Sequence, residues 1–220
     1  MLDQFSFRHL ASICLSIVAA SLPFSALAAD DPYEIEVRTN VLLGDGVPAN
    51  DILGFGIAGR YYLKDRWFVS GAIEAYDYDF ERPVNVVGLL QDPAVKDIDA
   101  TVSTTVISAG IGRTYDFNSE KFDWFWELGL GAGFPDAGNA SGPLSTGGTF
   151  TVATDASTEF HLLSKLGASY HFTPNWTASF VARLEHHFMD FKVTELGTGA
   201  TGSIDSQTPM GAHLALGYSF

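Results

Sequence analysis

Four stretches of this chain end the same way, in a tyrosine, one intervening residue and a large apolar residue: Tyr61-Tyr62-Leu63, Tyr115-Asp116-Phe117, Tyr170-His171-Phe172 and Tyr218-Ser219-Phe220. The tyrosines lie 54, 55 and 48 residues apart. Stepping back by twos from each end collects apolar sets: Phe55, Ile57, Tyr61, Leu63; Ile107, Ile111, Tyr115, Phe117; Leu162, Leu166, Tyr170, Phe172; Met210, Leu214, Leu216, Tyr218, Phe220. The residues between them are small or polar, as in Gly211, His213, Ala215, Gly217 and Ser219. A period of two is the side-chain period of a β-strand with unlike faces, and a helix does not sustain it.

The first three endings each lead into a short polar turn, at Lys64-Asp65-Arg66, residues 118 to 121, and Thr173-Pro174-Asn175. After each turn an alternating run starts on an aromatic: Trp67, Val69, Ile73, Ala75; Phe122, Trp124, Trp126, Leu128, Leu130, Phe134; Trp176, Phe180, Leu184, Phe188. An eighth run carries Tyr33, Ile35, Val37, Val41 and Leu43, with Glu34, Glu36, Arg38 and Asn40 between them. The pattern predicts eight antiparallel strands of about ten residues, joined alternately by short turns and by loops at 44–51, 79–101, 135–159 and 190–208. At ~3.3 Å per residue and a steep tilt, such strands span a band about 25 Å tall, the apolar height of a membrane barrel.

Composition decides which face points outward. The outside of a soluble barrel should carry Lys, Glu and Thr, yet the polar face is mostly Gly, Ala and Ser with a few charges at mid-strand. Small residues suit the interior of eight strands, which holds side chains and little else. The aromatics gather beside the short turns, as an interfacial girdle does. The fold class is therefore all-β, an eight-stranded antiparallel up-and-down transmembrane β-barrel. The formal charge of −14 leaves no basic cluster for phosphates, so nucleic acid is not an expected partner. The single cysteine, Cys14, can form neither an intrachain disulfide nor a thiolate cluster.

Leu10 to Leu22 form a short apolar stretch, followed by Pro23 and the small-residue site Ala26-Leu27-Ala28. Residues 1–28 read as a secretory signal peptide and residues 29–220 as the barrel domain.

Together, the signal peptide, the eight amphipathic strands and the final Met210-x-x-x-Leu214-x-Leu216-x-Tyr218-x-Phe220 resemble the small outer-membrane β-barrel families of Gram-negative bacteria. The likeness extends to the opacity-like barrels, the transmembrane domain of outer-membrane protein A and the outer-membrane protein W group. It implies the cell outer membrane as location, with periplasmic turns, extracellular loops and a monomeric state. In those families a terminal Phe with alternate hydrophobics is read by the barrel-insertion machinery, which marks Tyr218 and Phe220 as the insertion signal. Outer-membrane lipids and lipopolysaccharide are the implied surroundings.

On the inward register, Glu36, Glu74, Glu127 and Glu185 meet Arg38, Arg60, Lys165 and Arg183, with His213 at a similar height. Placing Phe172 opposite Trp176 sets Lys165 against Arg183 and Leu163 against Glu185, so Glu185 is the nearest carboxylate for those cations. A balanced set is expected to pair as a salt-bridged plug, because an unpaired buried charge is strongly penalised. The functional alternative is a gate in which an Arg–carboxylate pair exchanges partners and opens a narrow path. The four loops carry 13 acids and three bases, and the Gly-, Ser- and Thr-rich loop at 135–159 reads as mobile.

Catalysis needs a nucleophile and a base on one face. The outward pair Ser164 and His186 has no carboxylate to orient the imidazole, so no enzyme is expected. His186 and His187 point to opposite faces, and His161 with His187 makes only two ligands. Neither a metal nor a cofactor is expected. The sequence thus predicts a non-catalytic envelope scaffold or surface-interaction protein acting through its loops. The alternative is a narrow, porin-like channel for ions or small solutes, hydrophobic ones included.

Overall fold

The computed structural model describes residues 33–43, 51–80, 100–119, 121–136, 138–143, 149–188, 191–197, 199, 201–204, 206 and 208–220. Eight of its strands close into a barrel: β1 (Tyr33–Leu43), β2 (Asp51–Tyr62), β3 (Trp67–Phe80), β4 (Ala100–Ser119), β5 (Phe122–Asp136), β8 (Glu159–His171), β9 (Trp176–Phe188) and β12 (Met210–Ser219). Every neighbouring pair is antiparallel, and β1 closes the ring by pairing with both β2 and β12. The signal-peptide segment and the loops at 44–50 and 81–99 lie outside the described residues.

The two faces separate as the alternation requires. Ile73, Ile107, Leu128, Leu130, Phe180 and Leu214 are exposed on the outer wall, whereas Glu36, Arg38, Glu74, Glu127, Arg183 and Glu185 are buried within. An apolar outer wall of this extent is the surface of a protein solvated by lipid tails. At the short-turn end the rings form a girdle: Trp67 meets Trp126 edge-on at 5.6 Å, Tyr115 stacks on Trp124 at 4.3 Å, and Trp176 meets Tyr218 at 5.0 Å. The turn between β2 and β3 holds Asp65 and Arg66 at φ of 59° and 64°. Positive φ at both central residues is the type I′ geometry that matches the twist of paired strands.

The strands average longer than ten residues, and β4 alone has 20. Two segments read as loops contain further strands: β6 (Asn139–Pro143) and β7 (Thr149–Ala156) between β5 and β8, and β10 (Phe191–Glu195) and β11 (Thr201–Ile204) between β9 and β12. These form a second sheet in the order β11-β10-β7-β6. The region expected to be mobile is thus largely strand, with residues 144–148 outside the described set. Thr, Val and Phe in β7 and β10 favour the extended state, and the rising β8–β9 hairpin supplies their partners. The ladder changes phase on the way up. Phe160 faces Phe188 in the barrel and Ala156 faces Phe191 above it, so four residues are passed on one side against three on the other. That offset is one residue, as in a β-bulge.

Inside the barrel, large side chains lie over glycines of the next strand. A Cβ on Gly112 would come within 2.3 Å of the Phe68 ring, one on Gly167 within 2.4 Å of Phe125, and one on Gly56 within 2.5 Å of the Glu74 side chain. The glycines are what give eight strands room for Phe, Tyr and Arg. Gly211, at the β1–β12 seam, has a different neighbour: an added Cβ would meet the Val41 carbonyl oxygen at 2.0 Å, and backbone cannot swing aside. Gly211→Ala is expected to cost about 1–3 kcal/mol or more by overpacking the closing pair. Urea unfolding of the reconstituted barrel, followed by heat-dependent gel mobility, measures it. Gly167→Ala, which meets side chains at its three nearest points, is expected to cost less.

Candidate functional site: the charged barrel interior

Alternation sends the even residues of β1 to β4 and the odd residues of β5, β8, β9 and β12 inward, and their charged members make one stack. At the short-turn end Phe68, Phe125 and Val181 form a buried apolar layer flanked by Tyr62. The Arg60 guanidinium lies 4.3 Å from the Phe125 ring centroid and 5.2 Å from that of Phe68. Such cation–π contacts hold a cation against an apolar floor. Arg60 Nη1 reaches Glu36 Oε1 at 2.9 Å and Glu34 Oε2 at 3.4 Å, and Tyr62 donates its hydroxyl to Glu34 Oε2 at 2.7 Å.

Above this floor Arg38 sits between two carboxylates, 3.3 Å from Glu36 Oε2 and 3.4 Å from Glu74 Oε1. Glu74 is the hub of the interior. Arg183 grips it with both ends of its fork, Nη1 to Oε1 at 2.9 Å and Nη2 to Oε2 at 3.0 Å. Asn40 Nδ2 donates to Oε1 at 3.0 Å and the Tyr76 hydroxyl to Oε2 at 2.9 Å. Bidentate, charge-assisted contacts of this kind are the strong class of hydrogen bond. In the ring order β3 and β9 are diametrically opposite, so the Arg183–Glu74 pair crosses the lumen. Arg183 also pairs with Glu185. His213 Nδ1 lies 3.5 Å from Arg183 Nη1.

Lys165 does face Arg183 and Leu163 does face Glu185. The partner of Lys165, however, is Glu127 on the adjacent strand, with Nζ to Oε1 at 2.7 Å, and Glu185 serves Arg183 alone of these two. The expected single diagonal partner is thus replaced by two carboxylates, because β5 places Glu127 directly opposite Lys165. Glu34, Asn40, Tyr62 and Tyr76 also belong to the network, although charge pattern alone does not mark them. Their signal was the same inward register that marked Glu36 and Arg38.

Glu159 departs further from its expected place. The sequence pattern places it in the loop at 135–159, but β8 begins on it, and it joins His161 on the inward face. His161 and His187 face each other across β8 and β9 with stacked rings 4.0 Å apart. Glu159, His161 and His187 are buried, and each brings a ligand-type atom within 4.8 Å of the others. The expectation of two ligands without a third is therefore corrected by one strand boundary.

The outward residues lie elsewhere. Tyr218 pairs with Ile35 and Trp176, and Phe220 stacks on Tyr33 at 6.2 Å while its amide donates to the Tyr33 carbonyl at 3.2 Å. Ser164 faces Leu184, and His186 Nδ1 is bonded to Thr208 Oγ1 at 2.7 Å.

Residues 12–203 match the family described as outer membrane protein beta-barrel domain. No curated protein matches the chain. Among solved structures, a major outer membrane protein from Thermus thermophilus superposes with a TM-score of 0.54 at 10% identity, covering 86% of this chain and 99% of that one. Neisserial surface protein A gives 0.45 at 15% identity, covering 86% and 96%. Ail, the attachment invasion locus protein of Yersinia pestis, gives 0.43 at 16% identity, covering 85% and 95%.

Proposed function

Because the chain belongs to the outer membrane protein beta-barrel domain family, and so to the outer membrane, we propose that it is a plugged, non-catalytic envelope barrel that presents a β-sheet to the outside. The observation that carries this reading is the Arg183–Glu74 fork spanning opposite walls above a layer of Phe68, Phe125 and Val181. A lumen crossed by a bidentate ion pair and floored by packed rings has little room for a water path. The short turns then face the periplasm, and the β11-β10-β7-β6 sheet stands on the outer side. Among the described residues β6 and β11 are its edge strands, and the pairing groups of an edge are the type of surface onto which an extended peptide adds as a further strand.

Outer-membrane lipid and lipopolysaccharide surround the wall in this reading, the insertion machinery reads Tyr218 and Phe220, and the barrel works as a monomer. The test is single-channel recording of the refolded chain in a planar bilayer, with heat-dependent gel mobility as proof of folding. A folded barrel that stays electrically silent is the expected result, and reproducible steps in the wild type would sink the plug. One observation favours the gated alternative: Arg38 lies almost equally far from Glu36 and Glu74, the arrangement from which a cation exchanges partners. Steps whose size changes in Arg38→Gln would select that reading.

A further inference from the structure

The buried charges do not balance. Among the described residues the interior holds six carboxylates, Glu34, Glu36, Glu74, Glu127, Glu159 and Glu185, against the four cations Arg38, Arg60, Lys165 and Arg183. The cations are engaged in the lower and middle stack, with Arg60 on Glu34 and Glu36, Arg38 on Glu36 and Glu74, Lys165 on Glu127, and Arg183 on Glu74 and Glu185. Five of the carboxylates share these four cations, and Glu159, at the upper end beside the two stacked histidines, pairs with none of them among the described residues.

The same place has polar atoms without partners among the described residues. Glu159 Oε1 and His161 Nδ1 are buried without a hydrogen-bond partner among the described residues, and Glu185 Oε2 is 3.9 Å from that Nδ1. Gly131 and Gly133 on β5 face this level. A Cβ on Gly133 would come within 2.9 Å of His161 Nε2 and 3.3 Å of Glu159 Oε2, so the glycine clears the ground beside both groups.

We propose that Glu159, His161 and His187 bind one divalent first-row transition ion, zinc by preference, at the outer end of the barrel interior. Two imidazoles and a carboxylate are a donor set that such ions take, and a tetrahedral ion holds its ligand atoms about 3.4 Å apart. The atoms here lie within 4.8 Å of one another, so side-chain rotation closes the set. His187 Nε2 lies 2.9 Å from Glu185 Oε2, which takes the position of a carboxylate that orients a ligating imidazole. Its positive charge would stand beside Glu159, the buried carboxylate without an Arg or Lys partner among the described residues. An ion there ties β8 to β9 just below the point where their ladder changes phase, so it staples the base of the outer sheet.

The probe is Co²⁺, offered to the refolded chain in detergent micelles and, because the site is buried, also during refolding. One Co²⁺ per chain is expected, with visible absorption bands of a four-coordinate site that vanish on addition of Zn²⁺. His161→Ala and His187→Ala should each weaken binding about 100-fold or more, and Glu185→Gln about 10-fold. His186→Ala, whose ring points outward, should bind as the wild type does. Absence of saturable binding under both conditions, or unchanged binding in both His161→Ala and His187→Ala, overturns the site. Should those variants fail to fold, X-ray absorption of the Zn²⁺-loaded wild type decides: two imidazole ligands are expected, and fewer than two overturn it.

Discussion

Glu74→Ala is expected to destabilise the barrel by about 3–5 kcal/mol, the usual cost of breaking a buried ion pair from one side. The loss leaves Arg183 without its fork partner and Arg38 with Glu36 alone, and it removes an acceptor from Asn40 and Tyr76. It also vacates the lumen at its crossing point, so conductance steps should appear where the wild type has none. Urea unfolding in micelles reads the first effect and bilayer recording the second. The double variant Glu74→Leu, Arg183→Met should recover part of the stability, because apolar residues of similar size need no partner. A single Glu74→Ala variant within about 1 kcal/mol of the wild type would show that the crossing pair holds nothing together.

The second large effect is expected on the outer wall. Ile73 stands abreast of Ile57 and Ile107 on the neighbouring strands, and its side chain is well exposed. It lies six residues along β3 from Trp67 in the girdle, about 20 Å of strand at ~3.3 Å per residue. With a tilt near 40° that is about 15 Å above the girdle, close to the centre of a 25 Å apolar band. Ile73→Arg should therefore cost about 2–4 kcal/mol of membrane assembly, while Thr158→Arg, exposed above the rim, should cost little. Equal assembly of the two in lipid vesicles would contradict the assignment of the apolar face to lipid.

The parts of this fold legible in the sequence are those where lipid outside and crowding inside act on alternate residues. That double constraint writes Leu214, Leu216 and Tyr218 against His213, Ala215 and Gly217, and it fixes register as well as face. It fails in two ways. Phe68 and Phe125 are inward aromatics, which hydrophobic alternation cannot tell from the outer set without knowing which glycines, here Gly112 and Gly167, make room for them. Above the rim no lipid selects one face, so β6, β7, β10 and β11 carry no period to read. Glu159 falls at that border, and with it the third member of the histidine cluster. The identities of ion-pair partners were legible only within a hairpin. The Glu74–Arg183 contact joins residues 109 positions apart through the centre of the barrel, and no local spacing encodes it.

The one-residue phase change between the β8–β9 and β7–β10 ladders decouples the history of the two sheets. A residue inserted below it would turn lumen-facing groups into the lipid, but above it no lipid sets which face a residue must take. The tip can accumulate changes, or carry a passenger peptide between β6 and β7 as a display platform, without the wall beneath losing its phase.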